Sequence, residues 1–194
     1  MRTKSLLTIA LAAAGMMYGA SVFAAGSTPT TGPFGSGTVT FTGTITNSPC
    51  DVAPGDEKII VPLGQISYRH LKAADDASDS KPFTIHLQNC AFDPDDSATN
   101  KNPIGKMSKV TVSFTGNADT NNKGYVNKGS AQDVAVQLLK SDNHSILAPN
   151  TDADAQQLQT GNNELNFFAR VVALGTSVTP GTVESSVTYT LKYL

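Results

Sequence analysis

An all-β sandwich is the fold class this sequence predicts. Three observations predict it. Short segments with alternating apolar and polar residues recur along the chain, no long helical pattern interrupts them, and the stretches between are rich in Asp, Asn, Gly and Ser. Strands joined by such connections pair antiparallel and must bury one face, which a second sheet does best.

The first 24 residues stand apart. Arg2 and Lys4 precede an apolar run at 6–14, and Val22, Phe23 and Ala24 bring small residues to the place a signal peptidase reads. The segment reads as a secretory signal peptide cleaved after Ala24. Its apolar run is too short to span ~30 Å of hydrocarbon, and no later segment is long enough to do so. Cleavage leaves 170 of 194 residues, enough for one domain. It also lowers the basic residues from 14 to 12 against 16 acidic ones, a net charge of −4. That balance argues against nucleic acid or an anionic membrane as partner.

Residues 25–37, AGSTPTTGPFGSG, have no pattern that could bury a face and predict a mobile extension. Residues 38–46, TVTFTGTIT, predict a strand with Val39, Phe41, Gly43 and Ile45 on one face and threonines on the other. Phe34 is the one large apolar residue upstream of it within the extension. A short strand at 58–63, KIIVPL, carries Pro62 and so belongs at an edge. Residues 82–89 place Phe83, Ile85 and Leu87 inward, and 109–115 place Val110, Val112 and Phe114 inward. Residues 133–140 do the same with Val134, Val136 and Leu138, and 165–174 with Leu165, Phe167, Ala169, Val171 and Ala173. The last strand alternates Val187, Tyr189, Leu191 and Tyr193 with Thr188, Thr190 and Lys192, and it runs to Leu194. Helical turns are expected only around 68–74 and 152–158.

Cys50 and Cys90 are the only cysteines, and both follow the signal. An exported pair predicts a disulfide, worth up to ~4 kcal/mol for a loop of this length in the chain-entropy model. Counted from Phe83, Ile85 and Leu87, Cys90 has the parity of Thr84, His86 and Gln88, the polar side. The bridge is therefore expected to staple neighbouring strands near one end rather than join two sheets through the core.

The strands after Cys50 number about one fewer than a closed sandwich of this kind needs. A final strand without a successor leaves an apolar slot and an unpaired edge, a template for another chain. The strand at 38–46, behind a mobile leader, has the apolar alternation such a slot requires.

In these features the chain resembles the fimbrial subunits of the chaperone–usher pathway, the type 1 and P pilus pilins. GTVTFTGTITNSPC (37–50) is similar to that family's N-terminal extension leading into its first cysteine, and FTIHLQNC (83–90) to its second-cysteine strand. FFARVVALG (167–175) resembles its penultimate strand. PGTVESSVTYTLKYL (180–194) resembles its C-terminal signature, with Gly181 fourteenth from the end and Tyr193 penultimate. The four pieces stand in order, and the resemblance covers most of the mature chain.

The resemblance implies an incomplete immunoglobulin-like sandwich that lacks the last strand and is completed by a donor strand from another subunit. It implies a signal peptide (1–24), an N-terminal extension of leader and donor strand (25–46) and a pilin domain (47–194). Val39, Phe41, Gly43 and Ile45 would be the donor residues. Gly181, Val187, Tyr189, Leu191, Tyr193 and Leu194 would form the acceptor groove and the C-terminal strand gripped by a periplasmic pilus chaperone. Other implied partners are an outer-membrane usher and neighbouring fimbrial subunits, and the implied destination is the cell surface, in a fimbria supporting adhesion. Strand addition between chaperone and pilin is a known recognition mode. The shaft subunit is the expected rank. A minor adaptor or terminator of the same fimbria is the alternative, and a self-contained secreted immunoglobulin-like binding module is the reading from another class.

No enzyme site, metal site or cofactor is expected. His70, His86 and His144 are scattered, whereas a catalytic metal wants closely spaced pairs. Asp93, Asp95 and Asp96 open a loop that has Ala98 where a calcium hand needs glycine and Ile104 where it needs glutamate. Asp75, Asp76 and Asp79 read as a solvated turn, and the sequon Asn143-His144-Ser145 is idle in a bacterial protein.

Overall fold

The computed structural model describes residues 37–194. The expected signal peptide (1–24) and nearly all of the expected leader, Phe34 included, lie outside the described residues. The chain divides into one unit ending at Ile45 and a second, Thr46–Leu194.

In the first unit, residues 37–45 carry no regular secondary structure. Phe41 is 90% exposed and Ile45 101%. The alternation at 38–46 predicts a strand, but none forms here, because a strand exists only by pairing its backbone with another.

The second unit is a two-sheet sandwich. One sheet has the order β1-β2-β8-β5-β4, with β6 also paired to β5. Its strands are β1 (Asp51–Val52), β2 (Lys81–Cys90), β4 (Tyr125–Val126), β5 (Val134–Leu139), β6 (Ile146–Leu147) and β8 (Gly161–Ala173). The other sheet has the order β7-β3-β9, from β3 (Lys109–Thr115), β7 (Gln156–Gln157) and β9 (Thr188–Tyr193). Every named pairing is antiparallel. The predicted inward residues fill the space between: Ile85, Leu87, Val110, Val112, Phe114, Leu138, Leu165, Phe167 and Ala169 form one buried cluster. At its centre Phe114 of β3 meets Phe83 and Phe167 of the facing sheet edge-on, with ring centroids 5.9 and 5.0 Å apart.

Three further expectations are corrected. Residues 58–63 form no strand: Ile59, Val61 and Leu63 still alternate inward beside exposed Ile60 and Pro62, but no ladder bond joins this stretch to a neighbour among the described residues. Residues 152–158 make no helical turn. Asp152 bridges to Ser113 and Gln156–Gln157 pairs with β3, since the open edge of β3 offers backbone partners that a lone turn lacks. β8 starts four residues earlier than its apolar pattern, because polar 161–164 continue the ladder to Cys90.

The disulfide Cys50–Cys90 staples β2 to the chain entering its neighbour β1, at the strand end. Cys90 nevertheless points inward, 2% exposed. A register shift between Leu87 and Cys90, with Asn89 at φ 53°, turns its side chain across and defeats the parity count. Tyr68–His70 is a single 3₁₀ turn within the predicted 68–74.

Candidate functional site

Two extended segments border an open groove of about 1330 Å³. One lip is 57–66, which turns Ile59, Val61, Leu63 and Ile66 inward. The other is 181–189, continuing as β9. Phe83, Phe114, Tyr125, Val136, Leu138 and Ala169 contribute the floor. The groove thus opens directly onto the sandwich core.

The second lip has a regular construction. From Val183 to Tyr193 every odd-numbered residue is half-buried and every even-numbered one exposed. The even residues other than Ser186 spend their backbone groups on neighbours. Thr182 and Glu184 carbonyls accept from the N–H groups of Ala131 and Lys128, Thr188, Thr190 and Lys192 lie opposite β3, and Leu194 exchanges two bonds with Lys109. In an antiparallel ladder bonded pairs alternate with pairs whose N–H and C=O point the other way. The backbone groups of Tyr189, Leu191 and Tyr193 therefore face away from β3, and Val183, Ser185 and Val187 make no backbone hydrogen bond among the described residues, so the odd positions form a free edge. Opposite them, residues 59–65 make no backbone hydrogen bond among the described residues. Two apolar lips with unspent backbone, above an apolar floor, have the chemistry of the space beside an unpaired β-strand edge.

Gly181, Val187 and Tyr189 of the expected groove set line it. Leu191 and Tyr193 continue the same face on β9 beyond the lined stretch, and Leu194 is exposed. Gly181 has a definite reason to be glycine: a Cβ there would fall on the backbone nitrogen of Ala131 and the carbonyl carbon of Ser130. Val183, Ile59, Val61, Leu63 and the floor aromatics were not singled out from sequence as groove residues. The alternation at 58–63 was the available signal for one lip; polar Ser185 hides it in the other.

A model of the family described as fimbrial protein matches residues 39–194. The chain belongs to the fimbrial protein family. Among relatives of this fimbrial subunit, the long polar fimbria protein A of Salmonella typhimurium is 32% identical over 82% of this chain and 84% of its own length. The major MR/P fimbria protein of Proteus mirabilis is 33% identical over 82% and 85%. The type-1 fimbrial protein A chain of Escherichia coli is 31% identical over 100% of both. Among solved structures, a chaperone–usher pilus studied for rod uncoiling superposes with TM-score 0.68 at 27% identity, covering 84% of this chain and 99% of the other. The P pilus rod subunit PapA gives 0.62 at 22% identity, covering 76% and 100%, a likeness of fold. The fold is therefore the immunoglobulin-like pilin sandwich lacking its last strand, and the protein is a structural fimbrial subunit of the cell surface rather than an enzyme.

The other candidate residues are absorbed locally. Asp95 accepts from the N–H of Asn102 at 2.7 Å and from the N–H and hydroxyl of Ser97. Those bonds, led by Asn102, hold its carboxyl down at about 2. Asp76 accepts from the N–H groups of Lys72 and Ala73. Among the described residues no group of three His, Cys, Asp or Glu is placed to hold a metal, and no helix is long and apolar enough to cross a membrane.

Tyr193 carries an anomaly: its hydroxyl is buried with no hydrogen-bond partner among the described residues. Burial first, then Tyr189 and Asp51, pushes its pKa up to about 12. The neutral form is favoured on folding, so its contribution is complete below the ordinary value near 10 and is lost as pH rises towards 12. Tyr193→Phe is expected to leave stability at neutral pH unchanged or slightly higher, because it removes an unsatisfied group. It should also weaken the alkaline destabilisation between about pH 10 and 12. Circular dichroism against pH, wild type beside variant, checks both; an identical alkaline limb in the two proteins would contradict the assignment.

Proposed function

We propose that this fimbrial subunit is a shaft pilin that polymerises by donor-strand exchange. Val39, Phe41, Gly43 and Ile45 of one subunit seat in the groove of the next. The single observation that carries this reading is the free backbone edge from Val183 to Tyr193 beside an apolar groove. A seated strand would pair with that edge and cover Phe114 and Leu138. In the same proposal residues 1–24 are removed on export and 25–36 act as leader. A periplasmic chaperone holds the groove and the Leu194 carboxylate until an outer-membrane usher passes the subunit on. Adhesion is then served by the fibre as a whole.

The energetics favour a lasting joint. Burial of Val39, Phe41 and Ile45 contributes ~1.5–3 kcal/mol each. Each backbone bond of the new ladder adds ~0.5–1.5 kcal/mol. Ordering the leader offsets part of this gain. Gly43 suits a point where donor backbone and groove floor approach closely.

Shaft rank is supported by relatives named as major fimbrial proteins. Its test is deletion followed by electron microscopy: loss of a shaft subunit removes long fibres, whereas loss of an adaptor or terminator alters only their number, length or tips. Strand donation is tested in vitro. The mature chain is expected to aggregate alone and to become a soluble, cooperatively folded species when a peptide of residues 37–46 is added. A stable monomer indifferent to the peptide would instead favour a self-contained binding module.

A further inference from the structure

We infer that Asp56, held by His86, and Tyr189 form a clasp that ties the two lips of the groove together and governs how fast a donor strand enters and leaves it. The inference rests on the strand-accepting reading above.

Asp56 begins the short 3₁₀ turn Asp56–Lys58, from which the first lip departs. Its Oδ2 accepts from the backbone N–H of His86 at 2.6 Å and shares a hydrogen bond with His86 Nδ1 at 2.8 Å. Its own carbonyl accepts from Tyr189 Oη at 2.9 Å. His86 lies on β2 and Tyr189 on β9, in opposite sheets. The bonds therefore run from one sheet, through the root of the first lip, to the strand that forms the second lip.

The Asp56 carboxylate is only 17% exposed, so water does not simply replace a lost partner. Beyond it the first lip has little else to hold it. Lys58 N–H bonds to the Gly55 carbonyl, and among the described residues no further backbone bond is made until the 3₁₀ turn that follows Ser67. Ile59, Val61 and Leu63 touch the core as side chains only. Such a segment moves as a flap anchored at its two ends, and the clasp sets the spacing of the lips at one of them. A flap with few ordered backbone bonds belongs to the low-stability part of a structure, where opening is frequent. Asp56 and Tyr189 thus position the first lip, rather than contributing apolar contact alone.

The test uses the mature chain loaded with a fluorescein-labelled peptide of residues 37–46. Release is followed by anisotropy after a chase with excess unlabelled peptide. Tyr189→Phe keeps the ring and removes one hydrogen bond; release is expected to be about two- to tenfold faster, with the denaturation midpoint of the loaded protein little changed. Asp56→Ala is expected to accelerate release at least as much. Asp56→Asn still accepts the His86 N–H and should recover most of the wild-type rate. If labelled peptide binds and both Tyr189→Phe and Asp56→Ala release it at the wild-type rate, the clasp is wrong and strand acceptance stands. If release accelerates only in proportion to lost global stability, the bonds are merely structural and the inference falls. Failure of the wild-type chain to bind the peptide removes the clasp together with the reading beneath it.

Discussion

Phe41→Asp is expected to abolish fibres while leaving the unit Thr46–Leu194 able to fold. Phe41 is 90% exposed, so the substitution removes no core contact. Its effect arises only when the segment is seated. There it forfeits ~1.5–3 kcal/mol of apolar burial and brings a carboxylate into an apolar groove without a partner, a penalty of several kcal/mol more. At ~1.4 kcal/mol per factor of ten, the occupied state should weaken by about a thousandfold or more. Thr40→Asp places the same charge on the opposite face of the segment and should be far better tolerated. Gly43→Val probes the same apolar face by bulk alone: a Cβ at Gly43 meets nothing within 4 Å, so a defect in that variant must come from seating. Electron microscopy of fibres, with circular dichroism of the peptide-complemented subunit as the folding control, decides it. Normal fibres from the Phe41→Asp variant would remove Phe41 from the donor face.

The long strands were legible because each carries three or more apolar residues at period two. Residues 109–115 match β3 end for end, and β5 and β8 keep the predicted inward sets. Two-residue strands such as β4 and β6 have no period to detect, and they are set by what lies opposite them on β5. The side of Cys90 was misjudged because counting by twos assumes an unbroken pleat, and the shift after Leu87 breaks it. β5 holds a further surprise. Ala135, Gln137 and Leu139, on the side away from the core, are also buried. Gln137 is satisfied there by the Lys123 carbonyl and Arg170 Nε, partners fixed by tertiary contact that no local pattern announces.

At the site, the second lip was largely readable and the first was not. Tyr189, Leu191 and Tyr193 alternate plainly, and β9 pairs with β3 on one side alone. Residues 58–63 show the same apolar alternation, but alternation reports only which side chains face inward. Whether the backbone finds a partner depends on a segment distant in sequence, and Pro62 cannot donate in any case. The Asp56 tether was invisible for the same reason: its partners lie 30 and 133 residues away.

Phe114→Ala is the core substitution expected to destabilise the subunit most, by about 3–5 kcal/mol. Phe114 is 2% exposed and is the aromatic that the smaller sheet contributes to the central trio. It meets Phe83 and Phe167 edge-on at 81° and 83°, while those two stack on each other at 29° as cross-strand neighbours. Edge-to-face pairs add ~0.5–1.5 kcal/mol beyond area, and truncating Phe114 loses two of them at once. The void opens beneath the groove, so it also removes floor from any seated strand. Phe83 is only half-buried and shares the floor, so Phe83→Ala should be the milder change. Against a typical total of ~5–15 kcal/mol, the Phe114 loss is a large fraction. Guanidinium unfolding of the peptide-complemented chain, disulfide intact, measures it as a fall in midpoint at unchanged slope. A loss below about 1 kcal/mol would mean that the two sheets are joined elsewhere.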